Sequence, residues 1–163
     1  MQAFTSTFYH LLSNPEYIEL LRHDVETAVA EEGWTKAGLD KMPKIDSFFR
    51  ESQRINGTGV GPLAYFCSNL NYRCANHLCP VGLGRLPLRP FTFSNGVTVP
   101  AGTLVAAPLI AIHTDGENYP NPDKFDGFRF AKLREHDGAA VSGQQSTSTS
   151  TEFLTFGYGR HAW

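Results

Sequence analysis

Glu51 and Arg54 stand three apart in Asp46-Ser-Phe-Phe-Arg-Glu51-Ser-Gln-Arg54. On a helix that spacing makes them neighbours, so carboxylate and guanidinium can pair. Such a pair is ordinarily a surface feature contributing well under ~1 kcal/mol. A second group is Cys67, Cys74, His77 and Cys79, all within thirteen residues. Structural zinc favours thiolate and imidazole ligands, so a small zinc-binding or interaction module is one reading. The spacing, C-x6-C-x2-H-x-C, matches no recognised zinc site. Three cysteines also argue against a closed disulfide framework. The third group is Phe156-Gly157-Tyr158-Gly159-Arg160-His161, followed by Ala162 and Trp163. Its glycines allow backbone dihedrals that side chains forbid. Alone, it reads better as a glycine turn without chemistry, and His161 reads equally well as a solvated tail residue.

The elements that must position these groups are legible in part. A helix is expected from about Pro15 to Glu32, with Asn14 as its cap and Pro15 in its first turn. Tyr17, Leu20, Leu21, Val25, Ala28 and Val29 form its apolar stripe. Gly33 ends it, and the preceding Phe4–Leu12 stretch also reads as helical. A second helix is expected from about Pro43 to Ile55, with Ile45, Phe48, Ser52 and Ile55 on one face and Gly57 as the stop. Glu51 and Arg54 then lie on the surface beside that face. Phe91-Thr-Phe, Ser94-Asn95-Gly96 and Val97-Thr-Val form a hairpin signal. After the Pro100–Gly102 turn, the apolar run Leu104–Ile112 reads as a strand leading into a short helix. Tyr119–Asp126 is irregular, with two prolines. Residues 137–152 are rich in Gly, Ala, Gln, Ser and Thr and read as a flexible loop.

Composition excludes some classes. The net charge of −2 gives no basis for a nucleic-acid partner. No apolar run approaches the ~20 residues that span a bilayer, and the first residues lack a signal-peptide pattern.

The order of the motifs is more specific than any one of them. Asp46–Arg54 resembles the K helix of fungal cytochromes P-450, whose signature is Glu-x-x-Arg. Phe91–Gly102 resembles the hairpin that follows it. Ala111-Ile-His-Thr-Asp115, Tyr119–Phe125 and Phe128-Arg129-Phe130 are similar to the next segment, in which an arginine reaches back to the K helix. Phe156–Ala162 resembles the start of the haem-binding loop. The fold this implies is mostly α with small β-sheets (α+β). It is part of the P-450 fold, from the end of the I helix (resembled by Gln2–Leu12) to the start of the haem loop, in one partial domain over residues 1–163.

The resemblance further implies that Glu51, Arg54 and Arg129 form a buried structural triad under the haem loop. It makes Arg85, Phe156, Gly157, Gly159 and His161 haem-binding positions, with His161 toward a propionate. It implies haem as cofactor, which this chain is not expected to retain, a small organic substrate, an NADPH-linked reductase and, for full-length members, the endoplasmic reticulum membrane. The reaction is insertion of one oxygen atom from O₂, and the nearest relatives are expected among fungal monooxygenases of secondary metabolism.

Two departures stand out. The family's iron ligand is a cysteine thiolate, and the matching position here is Trp163. Indole has only an N–H donor and no lone pair for a metal, so this chain is expected to be a catalytically inactive fragment with no metal ligand of its own. Residues 58–80, between Gly57 and Arg85, are largely surplus to the family pattern. Retained introns account for both. Codon choices for Gly57-Thr58, Ala75-Asn76 and Cys79-Pro80 can supply donor, branch point and acceptor. A cysteine codon split after TG and read into GTAA gives Trp and a stop. Genomic DNA without splice signals at these places ends that reading.

Overall fold

Helical apolar spacing broken by Asn14-Pro15, Gly33 and Met42-Pro43 sets the first third of the chain. The computed structural model describes residues 2–56, 82–137 and 145–162. Helix α1 spans Gln2–Ser13, a 3-10 turn covers Pro15–Tyr17, and α2, α3 and α4 span Ile18–Glu32, Lys36–Asp40 and Pro43–Ile55. The second helix thus begins later than the sequence suggested. Asn14 makes no cap, because its amide donates back to the His10 carbonyl at 2.8 Å. Of the expected stripe, Leu21 and Ala28 are buried, while Leu20 is exposed.

Helix α4 has the expected bounds but not the exposure that its spacing alone suggested. Ser47, Phe48, Arg50, Glu51, Ser52, Gln53 and Arg54 are all buried. The Glu51–Arg54 pair therefore does not lie at the surface. The reason is packing from several sides: α1, α2 and the later helix α6 (Arg129–Asp137) all contact α4. Its N-terminus has no side-chain cap from Met42. Instead, Asp24 on α2 accepts from the N–H groups of Lys44 and Ile45 at 3.1 and 3.3 Å. A carboxylate at that end also complements the helix dipole.

The chain divides into two compact units, residues 1–58 with 113–163, and residues 59–112. In the second, β1 (Gly82–Arg85) pairs antiparallel with β4 (Val105–Ala107), and β2 (Phe91–Thr92) with β3 (Thr98–Val99). The Asn95-Gly96 hairpin is as expected, with Gly96 at φ +85°. Strand β1 is unexpected, since Gly-Leu-Gly-Arg carries no alternating pattern. Helix α5 (Leu109–His113) ends in His113, which belongs to the first unit.

Helix α6 was not legible either. Its first N–H groups find their acceptor on α4: Ser47 Oγ accepts from Phe130 and Ala131 at 3.1 and 3.0 Å. Just before it, Tyr17, Phe48, Phe125 and Phe128 form an aromatic cluster with centroids 4.9–6.0 Å apart. Gly127 sits against that cluster. A Cβ there would lie 2.5 Å from Phe48 Cδ2 and 2.9 Å from Tyr17 Cε1. Gly127→Ala should cost about 1–3 kcal/mol through overpacking. The urea midpoint measures it, and an unchanged midpoint would show that the rings move aside freely.

Gly57, the surplus segment with Cys67, Cys74, His77 and Cys79, residues 138–144 and Trp163 lie outside the described residues. Among the described residues no helix is long and apolar enough to cross a membrane.

Candidate functional site

Helix α4 carries the charges. Glu51 and Arg54 meet as a two-point fork, Nε to Oε2 at 2.8 Å and Nη2 to Oε1 at 2.9 Å. Arg129, the first residue of α6, adds its Nε to both Glu51 oxygens at 3.1 Å. The Asp126 N–H donates to Oε1 at 3.1 Å. Glu51 is 0 % exposed, Arg54 1 % and Arg129 9 %. One buried anion thus faces two buried cations. The surplus positive charge is met by carbonyls: His113 accepts from Arg54 Nη1 at 2.6 Å, and Pro120, Asn121 and Lys124 accept from Arg129 at 2.6, 3.3 and 2.9 Å. Arg129 stands at a helix N-terminus, where the dipole disfavours a cation. Charge-assisted bonds to Glu51 and those carbonyls offset that cost. The three charged residues expected to form a triad are therefore together.

Three further groups tie this cluster to the glycine loop, and the sequence assigned them no role. His113 is 1 % exposed. Its Nδ1 hydrogen-bonds the Arg54 carbonyl at 3.2 Å, and its Nε2 hydrogen-bonds the Leu154 N–H at 3.1 Å. A carbonyl only accepts and an N–H only donates, so the ring is the neutral tautomer protonated at Nδ1. Burial holds its pKa down at about 4; the Arg54 carbonyl opposes this, and the Arg54 and Arg50 charges add to it. The available signal was its place at the end of an apolar run. Tyr119 donates to the Glu152 carbonyl at 2.9 Å, and burial pushes its pKa up to about 12. Arg50 lies between the Phe130 and Phe153 rings, 4.6 and 4.3 Å from their centroids.

These contacts deliver the chain to the loop. Phe153, Leu154 and Thr155 are buried, and Phe156 is half-buried. Gly157 has φ +95° and Gly159 φ +68°, a region other residues rarely adopt. Gly159→Cβ would meet nothing within 4 Å. Gly159–His161 is a 3-10 turn. Arg85 lies exposed on β1 in the second unit, its Nη1 donating to the neighbouring Gly84 carbonyl at 3.0 Å. Among the described residues no His/Cys/Asp/Glu group is arranged to hold a metal ion.

The chain is similar to known proteins over nearly its whole length. Cytochrome P450 monooxygenase 151 of Postia placenta is 38% identical over 160 residues, which are 98% of this chain and 28% of that protein. Cytochrome P450 monooxygenase janQ of Penicillium janthinellum is 38% identical over 161 residues, again 28% of its length. The chain thus spans under a third of these curated relatives. Among solved structures, a zebra fish cytochrome P450 with abiraterone superimposes on 99% of the chain and 30% of its own length, with TM-score 0.65 and 19% identity. The Cytochrome P450 family model matches residues 75–162, more than half of the sequence, so the chain belongs to the cytochrome P450 family and carries part of its fold.

Proposed function

We propose that this chain is the scaffold of a haem-dependent monooxygenase, in which α4 locks the segments around it into the shape that presents the haem loop. The observation that carries this reading is the Glu51 carboxylate. It is fully buried and shared by Arg54, three residues away, and Arg129, 78 residues away. Glu51, Arg54 and Arg129 are structural in this reading and do not touch the reacting atoms. Phe156, Gly157, Gly159 and His161 form the approach to the porphyrin; Arg85 is a haem-binding position by family resemblance alone. For the whole enzyme the reading implies O₂-derived oxygen insertion into a small organic substrate, an NADPH-linked reductase and the endoplasmic reticulum membrane.

The loop backbone fits a flat macrocycle: its two glycines take left-handed dihedrals, and the space beside Gly159 is open. The donor set does not fit the iron. Trp163 occupies the thiolate position of the family motif, and indole has no lone pair to offer. A thiolate ligand is what favours O–O cleavage in this family, so this polypeptide is proposed to be inert in that chemistry.

Haemin added to the purified chain, reduced and exposed to carbon monoxide, should give no thiolate-type absorption. Trp163→Cys should produce it. A thiolate-type spectrum from the unmodified chain would overturn the inert reading, and none from Trp163→Cys would count against the loop assignment.

A further inference from the structure

Asp46 and Arg50 lie four residues apart on α4 and reach the same peptide bond. Arg50 Nη1 donates to the Gln145 carbonyl. The Ser146 N–H donates to the two Asp46 carboxylate oxygens at 3.0 and 3.1 Å. The carbonyl of residue 145 and the N–H of residue 146 belong to one planar unit, so it is held at both ends by a cation and an anion. Neither side chain is free to swing. Arg50 is 2 % exposed and packed between Phe130 and Phe153. Asp46 is also paired with Arg134 on α6. The composition of residues 137–152 predicts a loop without anchorage, yet from Gln145 onward the backbone is tied down. After Ser146 come Ser150 N–H to the Phe153 carbonyl at 3.1 Å, Phe153 N–H to Ser150 Oγ at 3.0 Å, and Gly157 N–H to the Leu154 carbonyl at 3.0 Å.

We propose that Asp46 and Arg50 form a peptide-bond clamp that fixes the backbone at Gln145–Ser146, just ahead of the Ser/Thr-rich run Ser146–Thr151, and so positions Phe156–Gly159. Its purpose rests on the haem-loop reading above; its existence does not. The charged pair grips backbone atoms, so the sequence and length of the preceding stretch are unconstrained by it. The entropy of closing a loop changes only slowly with its length. The clamp therefore lets that stretch vary while the start of the loop stays in place. Arg50 and Asp46 are positioning residues.

Amide hydrogen exchange on the full chain tests this, because it reads opening segment by segment. Arg50→Met keeps the bulk between the rings and removes the donor; Asp46→Asn removes the anion. Each should speed exchange at Ser146–Gly157 by about tenfold or more, with Ile18–Glu32 unchanged. Arg50→Lys keeps a cation between the rings and should give a smaller, still local, increase. It decides the matter should Arg50→Met fail to fold. Inserting about six Gly/Ser residues after residue 140 should leave exchange at Ser146–Gly157 at the original rate. The clamp is overturned if Asp46→Asn and Arg50→Lys change nothing or act uniformly over the chain, or if the insertion loosens the segment as much as they do. The haemin spectrum reads the ligand position and not the clamp, so the two readings fail separately.

Discussion

Glu51→Gln should destabilise the first unit by about 3–5 kcal/mol, the cost of leaving buried charges without their counter-ion. Glutamine keeps the size of the side chain, so the loss is electrostatic and not a cavity. Arg54 and Arg129 would then face each other's charge with only neutral acceptors, the glutamine amide oxygen and backbone carbonyls. The carbonyls of His113, Pro120, Asn121 and Lys124 satisfy N–H groups but carry no net charge. The same substitution in a solvated Glu–Arg pair would cost well under ~1 kcal/mol, so the magnitude separates buried from exposed. The total stability of a domain is about 5–15 kcal/mol, so amides of α4 and α6 should lose most of their exchange protection. Exchange in those helices within threefold of the original would contradict the burial described here. Arg129→Lys should cost less, because the charge on Glu51 stays matched while the carbonyls of Pro120, Asn121 and Lys124 lose a fork that reaches all three.

The second large effect is on acid stability and comes from His113. Its pKa is about 4 in the folded chain and about 6.5 when exposed, because burial opposes its charging. Above pH ~6.5 the ring is neutral in both states and its contribution is fully present. As pH falls below that, the unfolded chain takes up a proton that the folded chain does not. Stability then declines until about pH 4 and levels off below it. The whole step is about 3 kcal/mol. His10, half-buried against Phe125, is shifted in the same direction by burial, so the comparison must isolate His113. His113→Gln supplies an amide donor toward the Arg54 carbonyl and an acceptor toward the Leu154 N–H without a proton to gain. Urea unfolding at pH 7.5 and pH 4.5 should show a markedly smaller loss in this variant. Equal losses in both proteins would mean that the folded chain protonates His113 without penalty. Protonation would also set an N–H against the Leu154 N–H. Acid should therefore loosen the approach to the glycine loop before it unfolds α2.

The sequence by itself determined what depends on neighbours along the chain. Pro43 and a run of helix-compatible residues placed α4 with the correct ends, and Asn95-Gly96 placed the hairpin, because φ restrictions and turn dihedrals are local. The order of motifs also brought Glu51, Arg54 and Arg129 into one group through family resemblance. Nothing in Glu-x-x-Arg distinguishes a solvated pair from a buried one, since the i, i+3 geometry is the same in both. Only the packing of α1, α2 and α6 around α4 turned those charges inward. The caps were equally hidden: Asp24 serves α4 from 20 residues away and Ser47 serves α6 from 83. Strand β1 exists because β4 supplies its hydrogen bonds, and its own residues carry no strand signal. Gln145 and Ser146 lie in a composition that predicts no anchorage, and a cation and an anion on a distant helix provide it. Burial of the triad was legible only through family resemblance and not from its spacing; capping across elements and side-chain grips on backbone are set by partners remote in sequence, and those the tertiary structure alone decided.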